Sequence, residues 1–198
     1  MNRRIRSVFG NLPSLETPRL ILRRLRLDDV DDVFAYASDP DVARTVTWEA
    51  HRSVEDSRAF VQTMLRRYER GEVANWGMEL RETGRIIGTC GYILWNTAHD
   101  SAEIAYALGR PWWNRGLMTE ALRAVLAFGW ERMGLHRVEA HCRTDNPASE
   151  RVMQKLGMRL EGINRGALRM KGVYVDLKHY AVLRDDVPAA PASGESAP

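Results

Sequence analysis

A chain of 198 residues is long enough to bury one good core and too short for two, so it reads as one domain, or one domain with a tail. Hydrophobic residues at 44% and charged residues at 28% exclude a wholly disordered, fibrous or membrane-embedded chain, and no stretch reaches the roughly 18 apolar residues of a bilayer span. The formal charge of +3 is too small and too dispersed for the clustered basic face that nucleic acid requires.

Along the chain, residues 1–13 read as an N-terminal arm that carries Arg3, Arg4 and Arg6 into solvent and ends at Pro13. No apolar stretch follows it, so it is not read as a secretory signal. Arg19 to Leu27 alternates apolar and basic residues, the period of a half-buried strand. Asp28 caps a helix through about Ala37, which Asp39-Pro40 ends. An irregular stretch with Trp48 follows. Ser53-Val54-Glu55-Asp56 then opens a second helix that runs to Arg70 and stops at Gly71.

Strands are expected over about 74–80 and 85–95, joined by Glu82-Thr83-Gly84, and over 102–108. After them come a helix over 119–133, a short strand over 137–142 and a short helix over 147–156. Two final strands lie near 158–168 and 174–182. Residues 14–184 form the folded domain, and the Pro/Ala/Ser/Gly-rich residues 185–198 are expected to be disordered. The order β-αα-βββ-α-β-α-ββ gives an α/β (α+β mixed) fold around a mixed sheet of about seven strands with about four helices. Cys90 and Cys142 lack metal spacing and suit two free buried thiols in a reducing cytoplasm. Of 29 basic residues only Lys155, Lys171 and Lys178 are lysine. Arginine's planar fork favours phosphate and carboxylate partners, although a GC-rich genome produces the same bias.

The chemistry is concentrated in residues 102–121, AEIAYALGRPWWNRGLMTEA. A strand ends at Gly109, a loop carries Pro111, Trp112 and Trp113, and a helix opens directly after Asn114-Arg115-Gly116. Such a turn collects free backbone N–H groups and a helix dipole in one concavity, which favours a pyrophosphate. Gly116 lets the backbone approach closely, and Arg115 and Arg110 can add charge-assisted contacts. Taken alone, the same loop is equally a helix start that needs a glycine to turn.

The layout resembles the GNAT N-acetyltransferase superfamily, whose signature is a Gln/Arg-x-x-Gly-x-Gly/Ala turn. Trp113-Asn114-Arg115-Gly116-Leu117-Met118 stands in that place, with Trp113 for the polar first residue and Met118 for the small last one. The run Pro111-Trp112-Trp113-Asn114-Arg115-Gly116 followed by Thr119-Glu120-Ala121 resembles the ribosomal-protein N-terminal acetyltransferases of RimJ/RimL type. So do Leu15-Glu16-Thr17-Pro18-Arg19-Leu20, Asn146 with Ser149 ahead of Lys155-Leu156-Gly157-Met158, and Lys171-Gly172-Val173-Tyr174-Val175-Asp176.

The resemblance, over about residues 14–184, implies a central, mostly antiparallel sheet splayed at an acetyl-CoA site. It implies a direct acetyl transfer from acetyl-CoA to a primary amine, without a metal. The acceptor would be a protein N-terminal α-amine of the alanine or serine type, or alternatively a small amine. A non-catalytic acyl-CoA sensor on the same fold is the other alternative. A homodimer is implied as well. The cradle would comprise Trp113, Asn114, Arg115, Gly116, Leu117, Met118 and Thr119. Pantetheine would run along the backbone of Tyr106, Ala107 and Leu108, where a bulge in that strand would splay the sheet. Asn146 would hold the pantetheine arm, a role compatible with helix capping.

Glu103 takes the position of the family's glutamate base, acting through water. It is equally a strand-surface carboxylate or an arginine partner. His141 is the second choice. The tyrosine acid of many relatives is replaced by Met153, and Ser149 stands where it can assist the leaving thiolate. Arg44, Thr45 and Trp48 fall in the region that lines the acceptor site. Strand alternation puts Glu103, Ala105 and Ala107 on one face and Ala102, Ile104, Tyr106 and Leu108 on the other.

Overall fold

In the computed structural model, which describes residues 2–186, the alternating segments become one sheet of eight strands. These are β1 (Leu15–Glu16), β2 (Leu20–Arg23), β3 (Asn75–Leu80), β4 (Arg85–Asn96), β5 (Ser101–Leu108), β6 (Arg137–Arg143), β7 (Arg159–Met170) and β8 (Val173–Leu183). Their order is β1-β2-β3-β4-β5-β6-β8-β7. Only β5 and β6 run parallel; the other neighbours are antiparallel. The helices among the described residues are α1 (Arg3–Phe9), α2 (Val30–Ala37), α3 (Pro40–Ala43), α4 (Val54–Arg70), α5 (Leu117–Phe128) and α6 (Pro147–Lys155). The expected tail, except for its first two residues, lies outside the described residues.

Local chemistry explains where the elements stop. Ser53 and Asp56 close a reciprocal capping box on α4, and Gly71 ends it with a left-handed φ of 64°. Tyr92 of β4 donates its hydroxyl hydrogen bond to the Val125 carbonyl on α5. Thr89, three residues earlier, instead meets Tyr36 of α2. Residues of opposite parity therefore bind the two helix layers to opposite faces of the sheet.

Residues 1–13 do not extend into solvent as an arm. Residues 3–9 form α1, capped by the Asn2 side chain, and Phe9 and Leu12 are buried. Phe9 packs against Trp95 at a ring separation of 6.2 Å. Arg4 donates to the Asp100 carboxylate at 2.6 Å and to the Met133 carbonyl at 2.9 Å. Ile5, Val8 and Phe9 supply an apolar stripe with i, i+3, i+4 spacing, but over only seven residues, too few to outweigh the charges around it.

The sheet opens because β5 and β6 pair only at Ser101↔Arg137, Ala102↔Val138 and Glu103↔Glu139. Beyond that point β5 stays with β4, while β6 stays with β8 as far as Arg143↔Leu177. The expected bulge lies on β4 rather than β5. Tyr92 faces Ile104 and Leu94 faces Glu103, so Ile93 is the extra residue. A bulged strand bends and twists more strongly, and here the bend occurs beside the point where the strands part.

A buried ion pair fixes the start of α2. Arg23 donates two hydrogen bonds of 2.8 Å to Asp29 and another to Glu79, and its side chain and that of Asp29 are 9% and 8% exposed. Removing one partner leaves a buried charge uncompensated. Asp29→Ala should therefore cost about 3 kcal/mol, at the low end for buried pairs because Glu79 remains. Urea unfolding of the two proteins measures this cost.

Candidate active site

The parted strands border a cleft of about 850 Å³. Its lining includes Glu103, Tyr106, Ala107, Leu108, Trp113, Asn114, Gly116, Leu117, Met118, Thr119, His141, Asn146 and Ser149, with Arg44, Thr45 and Trp48 on the other side. Two expected contributors are not among the lining residues. Arg110 is drawn off by Asp39 at 2.9 Å and Asp41 at 3.7 Å. The Arg115 guanidinium lies over the Trp112 ring, 5.1 Å from its centroid, which leaves that residue's backbone to the cradle.

Asn114 and Gly116 both adopt left-handed backbone, with φ of 60° and 75°, so the chain turns sharply into α5. The first helical hydrogen bond recorded there is donated by Glu120 N–H to the Gly116 carbonyl at 3.0 Å. The N–H groups of Leu117, Met118 and Thr119 therefore have no earlier turn to bond and face an anion-binding concavity. A Cβ on Gly116 would meet only Arg19 Nη2, at 3.7 Å, so the space over this residue is open. Met118 is buried in the core, where its bulk is accommodated. These features fit a pyrophosphate.

Sequence reading missed what holds this turn. The Glu120 carboxylate accepts from Thr17 Oγ1 at 2.7 Å, from Arg19 N–H at 2.9 Å and from Arg19 Nε at 2.7 Å. Arg19 Nη1 in turn donates to the Arg115 carbonyl at 2.9 Å. The link between β1 and β2 is thus clamped to the cradle. Its residues stand in two of the motifs that carried the resemblance, but nothing in their spacing shows that they meet. Trp113 Nε1–H donates to the Leu108 carbonyl at 2.7 Å, so this carbonyl is already used, whereas the free edge of β5 beyond Glu103 has no strand partner.

Glu103 and His141, the first and second choices for base, touch each other. His141 Nδ1 lies 3.0 Å from Glu103 Oε1, with the side chains 22% and 26% exposed. The hydrogen bond that the His141 ring donates to Glu103 raises the His141 pKa above the ordinary histidine value. The His179 ring of β8 lies against that of His141, with centroids 4.0 Å apart and the rings tilted by 59°. Burial and the neighbouring His141 charge lower its own pKa, so of the two rings it is His141 that takes the proton.

On the other face of β5, Tyr106 Oη lies 2.7 Å from Ser149 Oγ. Burial pushes the phenol pKa up, which keeps it a proton-bearing donor. Alternation along β5 puts the Tyr106 side chain on the face opposite Glu103, and the resemblance implies a role only for its backbone. Asn146 caps α6 by accepting from Ser149 N–H at 3.1 Å. Met153 is fully buried and offers no acid.

The family model described as "Acetyltransferase (GNAT) domain" matches residues 19–159. The Bacillus subtilis protein YoaA, named an uncharacterized N-acetyltransferase, is 34% identical over 172 residues, covering 87% of this chain and 97% of that one. The ribosomal-protein-serine acetyltransferase of Escherichia coli is 31% identical over 134 residues, 68% of this chain and 74% of that one. Among solved structures, RimL, a ribosomal L7/L12 α-N-protein acetyltransferase in complex with coenzyme A, superposes with a TM-score of 0.77. It is 22% identical, with 88% of this chain and all of that one covered.

The clamp and the glycine can be tested separately by calorimetry with CoA. Gly116→Ala should weaken binding at least tenfold, about 1.4 kcal/mol, because the new Cβ occupies the open side of the cradle. Glu120→Ala should weaken it severalfold by freeing Arg19 and Arg115, and Glu120→Gln, which still accepts from Thr17 and Arg19 N–H, should recover part of the loss. With the cradle, the parted strands and these relatives together, the chain belongs to the GNAT family of N-acetyltransferases, whose co-substrate is acetyl-CoA.

Proposed function

We propose that this acetyltransferase modifies the α-amino group of a polypeptide N-terminus. The observation that carries the reading is the contact of His141 with Glu103 at the point where the strands part. A histidine whose pKa is raised above about 6.5 is close to an α-amine at about 7.7–8.0, and far from a lysine at about 10.4. Proton transfer from an α-ammonium to such a base is less uphill than transfer from a lysine. The E. coli relative named for a ribosomal-protein serine supports the same acceptor. Two buried free thiols fit a reducing cytoplasm.

Acetyl-CoA supplies the acetyl thioester when bound. The cradle at Gly116 and the free edge of β5 position it, and positioning alone is worth several kcal/mol. An ionised Glu103 selects the tautomer in which His141 Nδ1–H donates to it, leaving Nε2 to accept the acceptor's proton, as the carboxylate of a catalytic triad does for its histidine. Glu103 thus orients the base rather than serving as the base through water. Tyr106 donates to Ser149 Oγ, and the Ser149 hydroxyl donates to the departing sulfur. A thiolate with a pKa near 8.5 needs little assistance, so this contribution is modest.

Three measurements test these roles. With an N-terminal peptide as acceptor, His141→Ala should lower kcat/KM at least 10²-fold, the usual minimum for general-base catalysis. The acidic limb of the pH–rate profile reports His141 losing its proton. Glu103 favours the charged imidazole and so moves that limb to higher pH; Glu103→Gln should move it to lower pH and reduce the plateau. Loss of the limb altogether in Glu103→Gln would return the base to Glu103. Ser149→Ala and Tyr106→Phe should each reduce kcat severalfold, and the double variant should be no slower than the worse single one, since both interrupt one chain of donors. Turnover of N-terminally blocked lysine peptides in preference to free N-termini would refute the α-amine reading.

A further inference from the structure

The acceptor side of the cleft is walled by aromatic rings. Trp48 and His51 lie 5.6 Å apart, His51 and Phe60 6.4 Å apart, and all three line the cleft. His51 shares a hydrogen bond of 2.7 Å with Ser57, and burial lowers its pKa, so the wall is uncharged at neutral pH. Facing it, Met170 and Leu177 come from the β7–β8 hairpin. Lys171 at the hairpin tip donates to the Ala43 carbonyl at the end of α3, at 2.6 Å, tying that side to the irregular stretch that carries Trp48. Arg143, also on the lining, is neutralised by Asp145 at 2.6 Å. Asn75 also lines the cleft; its Oδ1 is buried beneath the surface and lacks a hydrogen-bond partner.

We infer that this chamber takes a large apolar or aromatic group carried on the carbon that bears the reacting amine. The inference rests on the α-amine reading and narrows it to N-termini beginning with residues such as Phe, Leu or Met, away from the alanine or serine that the family resemblance implies. An uncharged aromatic wall gains free energy from every apolar group it covers, whereas Ala or Ser leaves it wet. An acidic first side chain would meet Arg44, which also lines the cleft, rather than the aromatic rings. Discrimination of one or more methylenes in such a pocket is typically tenfold or greater.

The test uses peptide amides of one length that differ only in residue one. The kcat/KM for Phe and Leu peptides should exceed that for Ala and Ser peptides at least tenfold. Trp48→Ala should bring the Phe/Ala ratio close to one, and Trp48→Leu, which keeps apolar volume, should retain part of it. Calorimetry of the Phe and Ala peptides on the CoA-loaded protein should show the same order independently of turnover. Ala or Ser peptides binding and reacting best, or a Phe/Ala ratio indifferent to both Trp48 variants, would overturn the chamber while leaving the α-amine reading intact. Transfer to 2-phenylethylamine but to no peptide would reverse that outcome, upholding the chamber and refuting the polypeptide acceptor.

Discussion

The parting of β5 from β6 after Glu103↔Glu139 is the constraint on which the site depends. Two parallel strands that stayed paired would use both edges of β5 and bring the cradle and α6 together. Instead β6 is held by its antiparallel ladder to β8 and β5 by its ladder to β4, and the extra residue at Ile93 bends the β4 side. The exposed edge of β5, the turn at Gly116, Ser149 on α6 and the Glu103–His141 contact all border the gap. The catalytic proposal, the cradle and the aromatic chamber are consequences of one missing set of backbone hydrogen bonds.

The charges are arranged so that the gap stays selective. Arg110 and Arg143, which could have made the cleft broadly anion-attracting, are paired with Asp39 and Asp145. Arg19 is committed to Glu120 and to the backbone beneath the pyrophosphate turn. The unbonded N–H groups of Leu117, Met118 and Thr119 offer backbone dipoles that need no reorganisation, and Arg151 and Lys155 also line the cleft. Among the described residues, the one titratable pair that borders the open cleft without an arginine partner is Glu103 with His141.

Elements with strong local punctuation were legible in the sequence: the capping box at Ser53, the glycine stop at Gly71, and the strand–turn–helix around Gly116. The resemblance supplied the family, and strand alternation separated the face of Glu103 from that of Tyr106. Contacts between side chains far apart in sequence were not legible. Glu103 meets His141 across 38 positions, Tyr106 meets Ser149 across 43, and Arg19 meets Glu120 across 101, and neither propensity nor periodicity encodes those pairings. Helix α1 escaped notice because one and a half turns of amphipathic pattern cannot be told from a basic arm, and its stability comes from Phe9 packing on Trp95. The sequence does not show which strand carries the extra residue, because that depends on the register of β4 against β5.

Backbone amide hydrogen exchange across residues 104–119, with and without CoA, probes the gap most directly. Protection of the amides on the free edge of β5 and of those at Leu117, Met118 and Thr119 on CoA binding, with β8 unchanged, is the expected result. Exchange in both segments that is indifferent to CoA would contradict the assignment of the parted strands as the co-substrate site.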